Sequence, residues 1–406
     1  MKRAYTKLLH ELLSLFPCVA IVGVRQCGKT TLLQNLPDPW RTFDLEQTAD
    51  FQLISRDSDL FFRLNNEYTA LDEAQLLPSI FPALRVAIDA DRNRSGRFII
   101  TGSSSPELVS AISESLAGRV AIIELAPLSL SESFARPVSD FYPMIQNMED
   151  IHALLDLPNR ISLERVHQYW LRGGYPEPWI KNNPRFTKLW MQNYIQTYMN
   201  RDIVSLFPSL DRQKYQLFLH MLANLSGHII NYADVARALS VSQPTVKNYF
   251  QIVHGTFIWR HIPAFSRKVE KRISKHPKGY LRDTGLLHFM LHLNELDDLL
   301  KHPNFGSSWE SMVIETLIRN FNALGTDCAY SYYRTNGGAE VDLILEGEFG
   351  LLPIEIKYGQ HIQSKQLLGL RHFVREQHCR FGIVVCNIER VTQLDDQIMA
   401  IPFGCL

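Results

Sequence analysis

The sequence has no net charge, no long apolar run and no clustered cysteines. Its 406 residues include 42 Lys and Arg and 42 Asp and Glu, so overall charge predicts no class of partner, and any basic surface has to be local. No apolar run approaches the length that spans a bilayer, and charged residues interrupt the N-terminal apolar pattern that a signal peptide needs. The six cysteines are scattered, without a CxxC pair or a metal-ligand spacing. We therefore expect a cytoplasmic protein with reduced thiols and no membrane partner.

The length and the succession of patterns predict several domains. A hydrophobic content of 46% supports well-built cores, and 406 residues exceed one ordinary core. Strand and helix patterns alternate through about residue 135, which favours a parallel sheet covered by helices. We expect an α/β nucleotide-binding domain (1–135), a helical lid or linker region (136–215), a domain of short helices (216–299) and a C-terminal α/β domain (300–406).

Residues 23–30 read GVRQCGKT, which fits the phosphate-loop pattern G-x-x-x-x-G-K-[ST]. An apolar strand pattern precedes this run and a helix pattern follows it, which is the setting that the motif requires. Lys29 would reach the β- and γ-phosphates of ATP, and the Thr30 hydroxyl would bind Mg²⁺. The residues expected to contact ATP are Gly23, Gln26, Cys27, Gly28, Lys29, Thr30, Thr31 and Ser103.

A second motif favours hydrolysis of the nucleotide. Residues 67–75 (EYTALDEAQ) read as an apolar strand that ends in two carboxylates. Asp72 suits the role of holding Mg²⁺ through water, and Glu73 suits the role of a general base that polarises the attacking water. A strand that ends in a solvated acidic turn is the structural alternative.

Two further positions leave their roles open. The strand pattern at residues 97–101 runs into a polar tip, where Ser103 and its neighbours either touch the γ-phosphate or cap the helix that starts near Pro106. Arg119 is either an arginine finger that stabilises charge on the transferring phosphoryl group or a surface arginine paired with Glu124. A finger acting in trans would require a dimer or a ring, so a homo-oligomer is left open.

Residues 232–250 have the rhythm of a helix-turn-helix. Val235, Ala236 and Leu239 form one apolar face, and Ser242 is suited to cap a second helix. Eight Lys and Arg oppose one acid in residues 260–282, a local excess of seven positive charges that is typical of a phosphate-backbone footprint. We expect DNA, duplex or branched, as a partner; the alternative is a structural or protein-contact module. The expected nucleic-acid contacts are Lys247, Arg267, Lys268, Lys271, Arg272 and Lys275.

The C-terminal region contains a separate group of acids. Residues 338–345 alternate as a strand, and a second strand pattern at residues 351–357 follows a turn. Asp342 and Glu355 are candidate metal ligands, and Lys357 would orient or activate water in Mg²⁺-dependent phosphodiester cleavage. Glu310 or Glu315 would add a carboxylate from a helix. A hairpin with charges on its solvated side is the alternative.

Taken together, these motifs resemble the bacterial and archaeal ATPases that pair an AAA-type P-loop domain with a C-terminal domain of unknown function, number 4143. The resemblance runs nearly end to end and implies a winged-helix module and a C-terminal fold similar to PD-(D/E)xK nucleases. Val24 stands where the family usually has a proline, which should not touch phosphate chemistry. The matching segments are GVRQCGKTTL (23–32), LDEAQ (71–75), TGSS (101–104), AGRV (117–120), GGYPE (173–177), RDI (201–203), KHPKGY (275–280), DTGLL (283–287), AEVD (339–342) and EIK (355–357).

Two functional hypotheses follow. The first is an ATPase that couples ATP binding and hydrolysis to DNA processing, repair or defence, with a nuclease-like C-terminal domain. The second is a nucleotide-switched regulatory or scaffold ATPase whose C-terminal domains bind protein partners. Stimulation of ATP turnover by DNA separates them.

Overall fold

The computed structural model describes residues 3–103, 112, 114–147, 150–267, 276–335 and 337–406, without the side chains of residues 103, 201, 202, 204 and 205. The chain divides into two compact units. The first comprises Met1–Leu128 with Ile252–Ile258, and the second comprises Ser129–Gln251 with Trp259–Leu406. The four-domain division expected from the sequence stays a prediction, and the helix expected near Pro106 lies outside the described residues.

The first unit is built on a parallel sheet of five strands in the order β2-β3-β4-β1-β5, which confirms the predicted parallel α/β architecture. Every residue of β1 is buried, as expected for an interior strand of a parallel sheet whose two faces are covered, and this burial explains its continuous apolar sequence. The strands are β1 (Cys18–Gly23), β2 (Arg41–Asp44), β3 (Thr69–Asp72), β4 (Phe98–Ser103) and β5 (Val120–Glu124). The helices are α1 (Tyr5–Leu15), α2 (Lys29–Gln34), α3 (Thr48–Arg56), α4 (Ser58–Leu64) and α5 (Ile80–Ala90).

The second unit begins with short helices joined by tight turns. Gly173 has φ +69°, and a Cβ there would lie 2.2 Å from Oδ1 of Asp283, so only glycine allows this approach. The Tyr194 and Tyr198 hydroxyls bond to those of Tyr175 and Tyr215, at 2.9 and 3.0 Å. The helices are α6 (Leu130–Ser133), α7 (Phe141–Asn147), α8 (Leu163–Arg172), α9 (Pro176–Lys181), α10 (Pro184–Thr197) and α11 (Ile203–Leu206), with a π-helical turn at Tyr198–Asp202.

A helix-turn-helix and a small sheet follow. The predicted apolar face of α13 is confirmed, since Val235, Ala236 and Leu239 are buried. The predicted cap is also confirmed, because the Thr245 backbone N–H donates to the Ser242 hydroxyl at 3.2 Å. Three antiparallel strands lie in the order β6-β8-β7. The elements are α12 (Arg212–Leu225), β6 (His228–Ile229), α13 (Tyr232–Leu239), α14 (Gln243–Gly255), β7 (Trp259–Ile262) and β8 (Lys278–Leu281).

The C-terminal part of the second unit is a mixed sheet of six strands in the order β13-β14-β12-β11-β10-β9. The predicted strand pair is confirmed as the antiparallel hairpin β10–β11, and β11, β12 and β14 are parallel. Its strands are β9 (Ala329–Arg334), β10 (Glu340–Gly347), β11 (Gly350–Ile356), β12 (Gly382–Cys386), β13 (Thr392–Asp395) and β14 (Ile398–Pro402). The helices are α15 (Thr284–Met290), α16 (Leu296–Lys301), α17 (Phe305–Ala323) and α18 (Leu368–Glu376).

A buried ion network joins α17 to the small sheet. The Glu315 side chain, only 3% exposed, accepts hydrogen bonds from the guanidinium groups of Arg260, Arg282 and Arg319. Burial alone would raise the pKa of the Glu315 carboxyl, but the three arginine charges hold it well below its usual range. Glu315 is therefore committed to this network, which leaves Glu310 as the helix carboxylate that can join the predicted acid group of Asp342 and Glu355. Arg260 and Arg282 are likewise committed, so they do not belong to an exposed basic surface.

We expect replacement of Glu315 by glutamine to lower the free energy of unfolding by about 3–5 kcal/mol, because removing one partner leaves buried charges uncompensated. Urea unfolding of the full chain measures this loss. Glu348→Gln, at an exposed position on the β10–β11 turn, is the matched control and should change stability by less than about 0.5 kcal/mol. Equal stability of the two variants would show that the buried ion network of Glu315 does not stabilise the fold.

Candidate functional site

The phosphate-loop segment lies between β1 and α2, as its sequence requires. Gly23 has φ +155°, and a Cβ there would lie 2.0 Å from the Leu125 carbonyl oxygen. Gly28 has φ +102°, which also favours glycine. Cys27 is fully buried, whereas Gln26, Thr30 and Thr31 are exposed. The loop is thus a tight backbone turn with an exposed polar rim where helix α2 begins.

Two cations lie against the loop backbone. The Lys29 side chain is 5% exposed, and its Nζ donates to the carbonyl oxygens of Gly23 at 3.0 Å and Val24 at 3.2 Å. Arg3, which the sequence analysis did not single out, donates from Nη1 to the Cys27 carbonyl at 2.7 Å and from Nη2 to the Ala126 carbonyl at 2.6 Å. Arg3 therefore ties the phosphate loop to the segment after β5. No local motif marks an arginine so far from its partners in sequence.

The predicted magnesium residues lie close together, Thr30 in the first turn of α2 and Asp72 at the end of β3. Asp72 ends β3, its carboxylate accepts a hydrogen bond from the Thr101 hydroxyl of β4, and the Thr30 hydroxyl lies near enough to lower its pKa. Burial raises the pKa of Asp72, the two hydroxyls oppose that shift, and the Glu73 and Asp44 charges add to it. A divalent cation would favour the charged form of Asp72. Thr101 was not a candidate, and only the polar end of its strand pointed to it.

Glu73 follows Asp72 in an unusual backbone conformation. Its φ is +54°, in the left-handed region that non-glycine residues adopt rarely and that is enriched at functional sites. Its backbone N–H donates to Oδ1 of Asp72 at 3.2 Å, and the Gln75 amide donates to its carboxylate. The structure thus positions the Glu73 side chain by its backbone and by Gln75, at the same strand end as Asp72.

The two remaining candidates of the first unit are Arg119, which forms an ion pair, and Ser103, which ends a strand. Arg119 forms a two-pronged ion pair with Asp89, with N–O distances of 2.7 and 2.8 Å, where the surface alternative had named Glu124. In this arrangement the guanidinium is held by a carboxylate of α5. Ser103 ends β4, and its side chain lies outside the description.

The predicted acid group of the second unit converges around two lysines. Lys357 Nζ lies 2.6 Å from Glu355 Oε1 and 3.9 Å from Asp342 Oδ2. Lys278 of β8, which had been counted among the basic segment, lies 2.6 Å from Glu310 Oε1 and 3.4 Å from Glu340 Oε1. Four carboxylates therefore face two ammonium groups. The structure brings together Asp342, Glu355, Lys357 and Glu310 and adds Lys278 and Glu340 to them.

The electrostatics of this group are those of crowded, buried acids. Burial raises the pKa of both Glu355 and Glu310, and the nearby Asp342 charge raises them further. The carboxylates in turn raise the pKa of Lys278 and Lys357 against the effect of burial. Both ammonium groups are therefore held charged, whereas Glu310 and Glu355 favour their protonated forms unless a further cation is bound nearby.

The residues fit a cation held by two carboxylates better than one held by three. Glu355 is 5% exposed, and its Oε2 has no hydrogen-bond partner in the described part of the chain. Asp342 and Glu355 supply the oxygen ligands that Mg²⁺ prefers, and Mg²⁺ commonly uses one or two carboxylates plus water and phosphate oxygens. Glu310, the expected third ligand, is instead paired with Lys278. Among the described residues, no group of three or more His, Cys, Asp or Glu is arranged to hold a metal.

The predicted nucleic-acid surface is only partly described. Lys247 is exposed on α14, with its Nζ 5.7 Å from the centre of the Tyr232 ring. Arg267 donates to the Gln377 side chain at 2.7 Å. The charge excess read from the sequence was too large, because Arg260, Lys278 and Arg282 are buried in ion pairs. Four of the expected contacts lie outside the described residues: Lys268, Lys271, Arg272 and Lys275.

In the part of the chain that the structure describes, no helix is both long enough and apolar enough to cross a membrane.

Comparison with solved structures gives only weak likenesses. The Walker-type ATPase PABY2304 of Pyrococcus abyssi aligns with 72% of this chain and 95% of its own, at 15% identity and a TM-score of 0.41. A score at this level carries no argument about fold or function.

Comparison of sequences shows the family to which the chain belongs. Residues 16–134 match the AAA domain family, residues 163–297 match domain of unknown function 8612, and residues 305–406 match domain of unknown function 4143. The uncharacterised Mycobacterium tuberculosis protein Rv2008c is 32% identical over 340 residues, which are 83% of this chain and 69% of that protein. The Methanocaldococcus jannaschii protein MJ1544 is 24% identical over 347 residues, 81% of this chain and 72% of that protein. With its phosphate loop after β1, an interior strand of a five-stranded parallel sheet, the chain belongs to the family of AAA-type P-loop ATPases that carry the C-terminal domain 4143.

Proposed function

We propose that this ATPase hydrolyses Mg²⁺-bound ATP at the site formed by residues 23–30 and the ends of β3 and β4, and that it couples this hydrolysis to action on DNA. The adjacency of Thr30, Asp72 and Thr101 supports the catalytic half most strongly. Thr30, in the first turn of α2, and Asp72, at the end of β3, are the two predicted magnesium residues, and they lie 42 positions apart in sequence (72 − 30).

Each residue then has a role that its geometry allows. When nucleotide binds, Lys29 exchanges its hydrogen bonds to the Gly23 and Val24 carbonyls for bonds to phosphate oxygens. Thr30 and Asp72 would hold Mg²⁺, which neutralises charge on the phosphates. Glu73 accepts a proton from the attacking water. Release of Arg119 from Asp89 would free its guanidinium to act as the arginine finger, in cis or from a neighbouring subunit.

The order of elements in the second unit supports a DNA-binding winged helix. A helix, a short strand, two helices and a two-stranded hairpin follow one another, and the first strand pairs with the last, in the order β6-β8-β7. Helix α14 exposes Gln243, Lys247 and Asn248, the polar types that reach base edges and phosphates. The segment between β7 and β8, where a wing would lie, carries the remaining basic residues.

The acid group supports a nuclease-like fold for residues 300–406. Asp342 on β10 and Glu355 on β11 are brought to one lysine, Lys357, by the hairpin. This order, an acid followed by Glu-x-Lys, suits a phosphodiester-cleaving site. The second hypothesis, a scaffold ATPase, is favoured by one observation: Lys278 neutralises Glu310, which would otherwise complete the shell. On that hypothesis the acid group is a binding surface without cleavage.

We expect Lys29→Ala to abolish ATP binding, and Glu73→Gln to bind ATP while its turnover falls by a factor of about 10²–10⁴, the usual contribution of a general base. Titration with a fluorescent ATP analogue and a phosphate-release assay measure the two effects. Glu67→Gln, a partly exposed surface carboxylate of the same unit, is the control for loss of charge. Full turnover by Glu73→Gln would remove the general-base role.

We expect DNA to stimulate ATP turnover and to bind with an affinity that falls steeply with salt, because phosphate contacts release counterions. Lys247→Glu, alone or with reversal of Lys271, Arg272 and Lys275, should weaken this binding, and Lys188→Glu on α10 is the control. Fluorescence anisotropy with duplex, single-stranded and branched DNA measures it. DNA-independent turnover with undiminished binding in these variants would favour the scaffold hypothesis.

We expect the acid group to bind Mn²⁺ in the absence of nucleotide, and Asp342→Asn and Glu355→Gln to lose both this binding and any cleavage of DNA. Electron paramagnetic resonance of Mn²⁺ in a Lys29→Ala background excludes the ATP site. Glu348→Gln, exposed on the same hairpin, should bind Mn²⁺ normally. Absence of Mn²⁺ binding in the parent protein would end the nuclease hypothesis and leave only the fold.

A further inference from the structure

A cleft of about 890 Å³ opens beside the acid group. Glu340 and Glu355 lie on one side of its lining, and Lys365, His372 and Arg375 line it from α18 and the turn before it. None of these three basic residues was a candidate in the sequence analysis. Arg371 and Glu376 of α18 also line the cleft, so this side is mostly basic, whereas the strand side carries Glu340 and Glu355, with the buried and unpartnered Oε2 of Glu355.

The basic side of the cleft is formed by one face of helix α18 and by the 3₁₀ turn before it (Ser364–Leu367), which carries Lys365. Residues 365, 368, 372 and 375 recur at helical spacing and are exposed, whereas Leu370, Phe373 and Val374 pack into the core of the mixed sheet. Gly369 lets the helix approach β10 closely, since a Cβ there would lie 2.3 Å from the Glu340 carbonyl oxygen. This close contact holds the basic face at a fixed position beside the carboxylates.

Of the basic residues that line the cleft from this side, two lie beside carboxylates and two do not, among the residues that the structure describes. Arg371, the neighbouring arginine, is paired with Asp395 at 2.7 Å, and His372 lies 3.6 Å from Glu376. Lys365 and Arg375 are exposed, and neither forms an ion pair with any residue that the structure describes. They differ in this respect from Arg260, Lys278 and Arg282, which are buried against carboxylates.

We propose that this cleft binds the sugar–phosphate backbone of a nucleic acid, with phosphates on Lys365 and Arg375 and the chain running past Glu355. The inference rests on the proposed function of the C-terminal domain and names its substrate-binding face. Ten residues separate the two cations, about 15 Å at helical rise. That span corresponds to about four nucleotides at 3.4 Å each, so the cations fit an extended polyanion better than a single phosphate. The acidic side turns the phosphates toward α18.

The test is DNA binding by the full chain without divalent metal, in a Lys247→Glu background that removes the contact proposed for α14. We compare Lys365→Glu/Arg375→Glu with Arg185→Glu/Arg390→Glu, which makes the same charge change at exposed positions outside the cleft. Anisotropy of a labelled 20-nucleotide single strand gives the affinity at several salt concentrations. Thermal unfolding checks that both variants are folded.

We expect the cleft variant to bind at least about tenfold more weakly than the control variant, and its salt dependence to lose about one unit of slope for each phosphate contact removed. Equal affinity and slope in the two variants would overturn the inference while leaving the proposed function in place if Lys247→Glu alone weakens binding. Failure of the unmutated chain to bind any DNA would overturn both. Competition by polyglutamate as strong as by DNA would overturn the assignment to nucleic acid.

Discussion

The buried carboxylate of Glu315 fixes the geometry on which the rest of the second unit depends. One side chain of α17 accepts bonds from Arg260 on β7, from Arg282 just after β8 and from Arg319 one turn further along its own helix. The small sheet and α17 are therefore held in one register. Lys278 on β8 lies four residues before Arg282 (282 − 278), and Glu310 on α17 lies five residues before Glu315 (315 − 310). The pair that borders the acid group thus follows from the network behind it.

Charge balance explains why this acid group differs from a simple metal cage. Four carboxylates cannot all be ionised in a buried site without counter-charges, and Lys278 and Lys357 supply two. The pKa values of Glu310 and Glu355 are nevertheless raised, which favours their protonated forms, and Oε2 of Glu355 has no hydrogen-bond partner among the described residues. A divalent cation beside Asp342 and Glu355 would favour the ionised carboxylates. A partner that presents a cationic group would neutralise the carboxylates in the same way. Metal binding and cleavage therefore have to be measured separately.

The sequence predicted local features and motif residues well, and it predicted poorly the long-range pairings that no motif marks. The phosphate loop, the β10–β11 hairpin, the buried face of α13 and its neighbouring Ser242 cap all depend on residues within about ten positions of each other, where spacing alone indicates geometry. Arg3, Thr101 and Lys278 were missed because their partners lie 24, 29 and 32 residues away, and no periodicity marks such contacts. Charge counting failed for a related reason. A count over residues 260–282 cannot tell an exposed lysine from a buried arginine that already has its carboxylate.

A chain without net charge presents a basic surface when some of its cations are paired with carboxylates in the interior and others remain exposed. Arg260, Arg282 and Arg319 share one carboxylate and Lys278 faces two, so these cations are balanced in the interior. Lys247, Lys365 and Arg375 remain exposed on helix faces, and no described carboxylate lies within ion-pair distance of Lys365 or Arg375. Because exposed charges contribute little to stability, such positions are free to be selected for binding. Net charge averages over both classes. The distribution of partners, which only the fold specifies, decides where an anion is attracted.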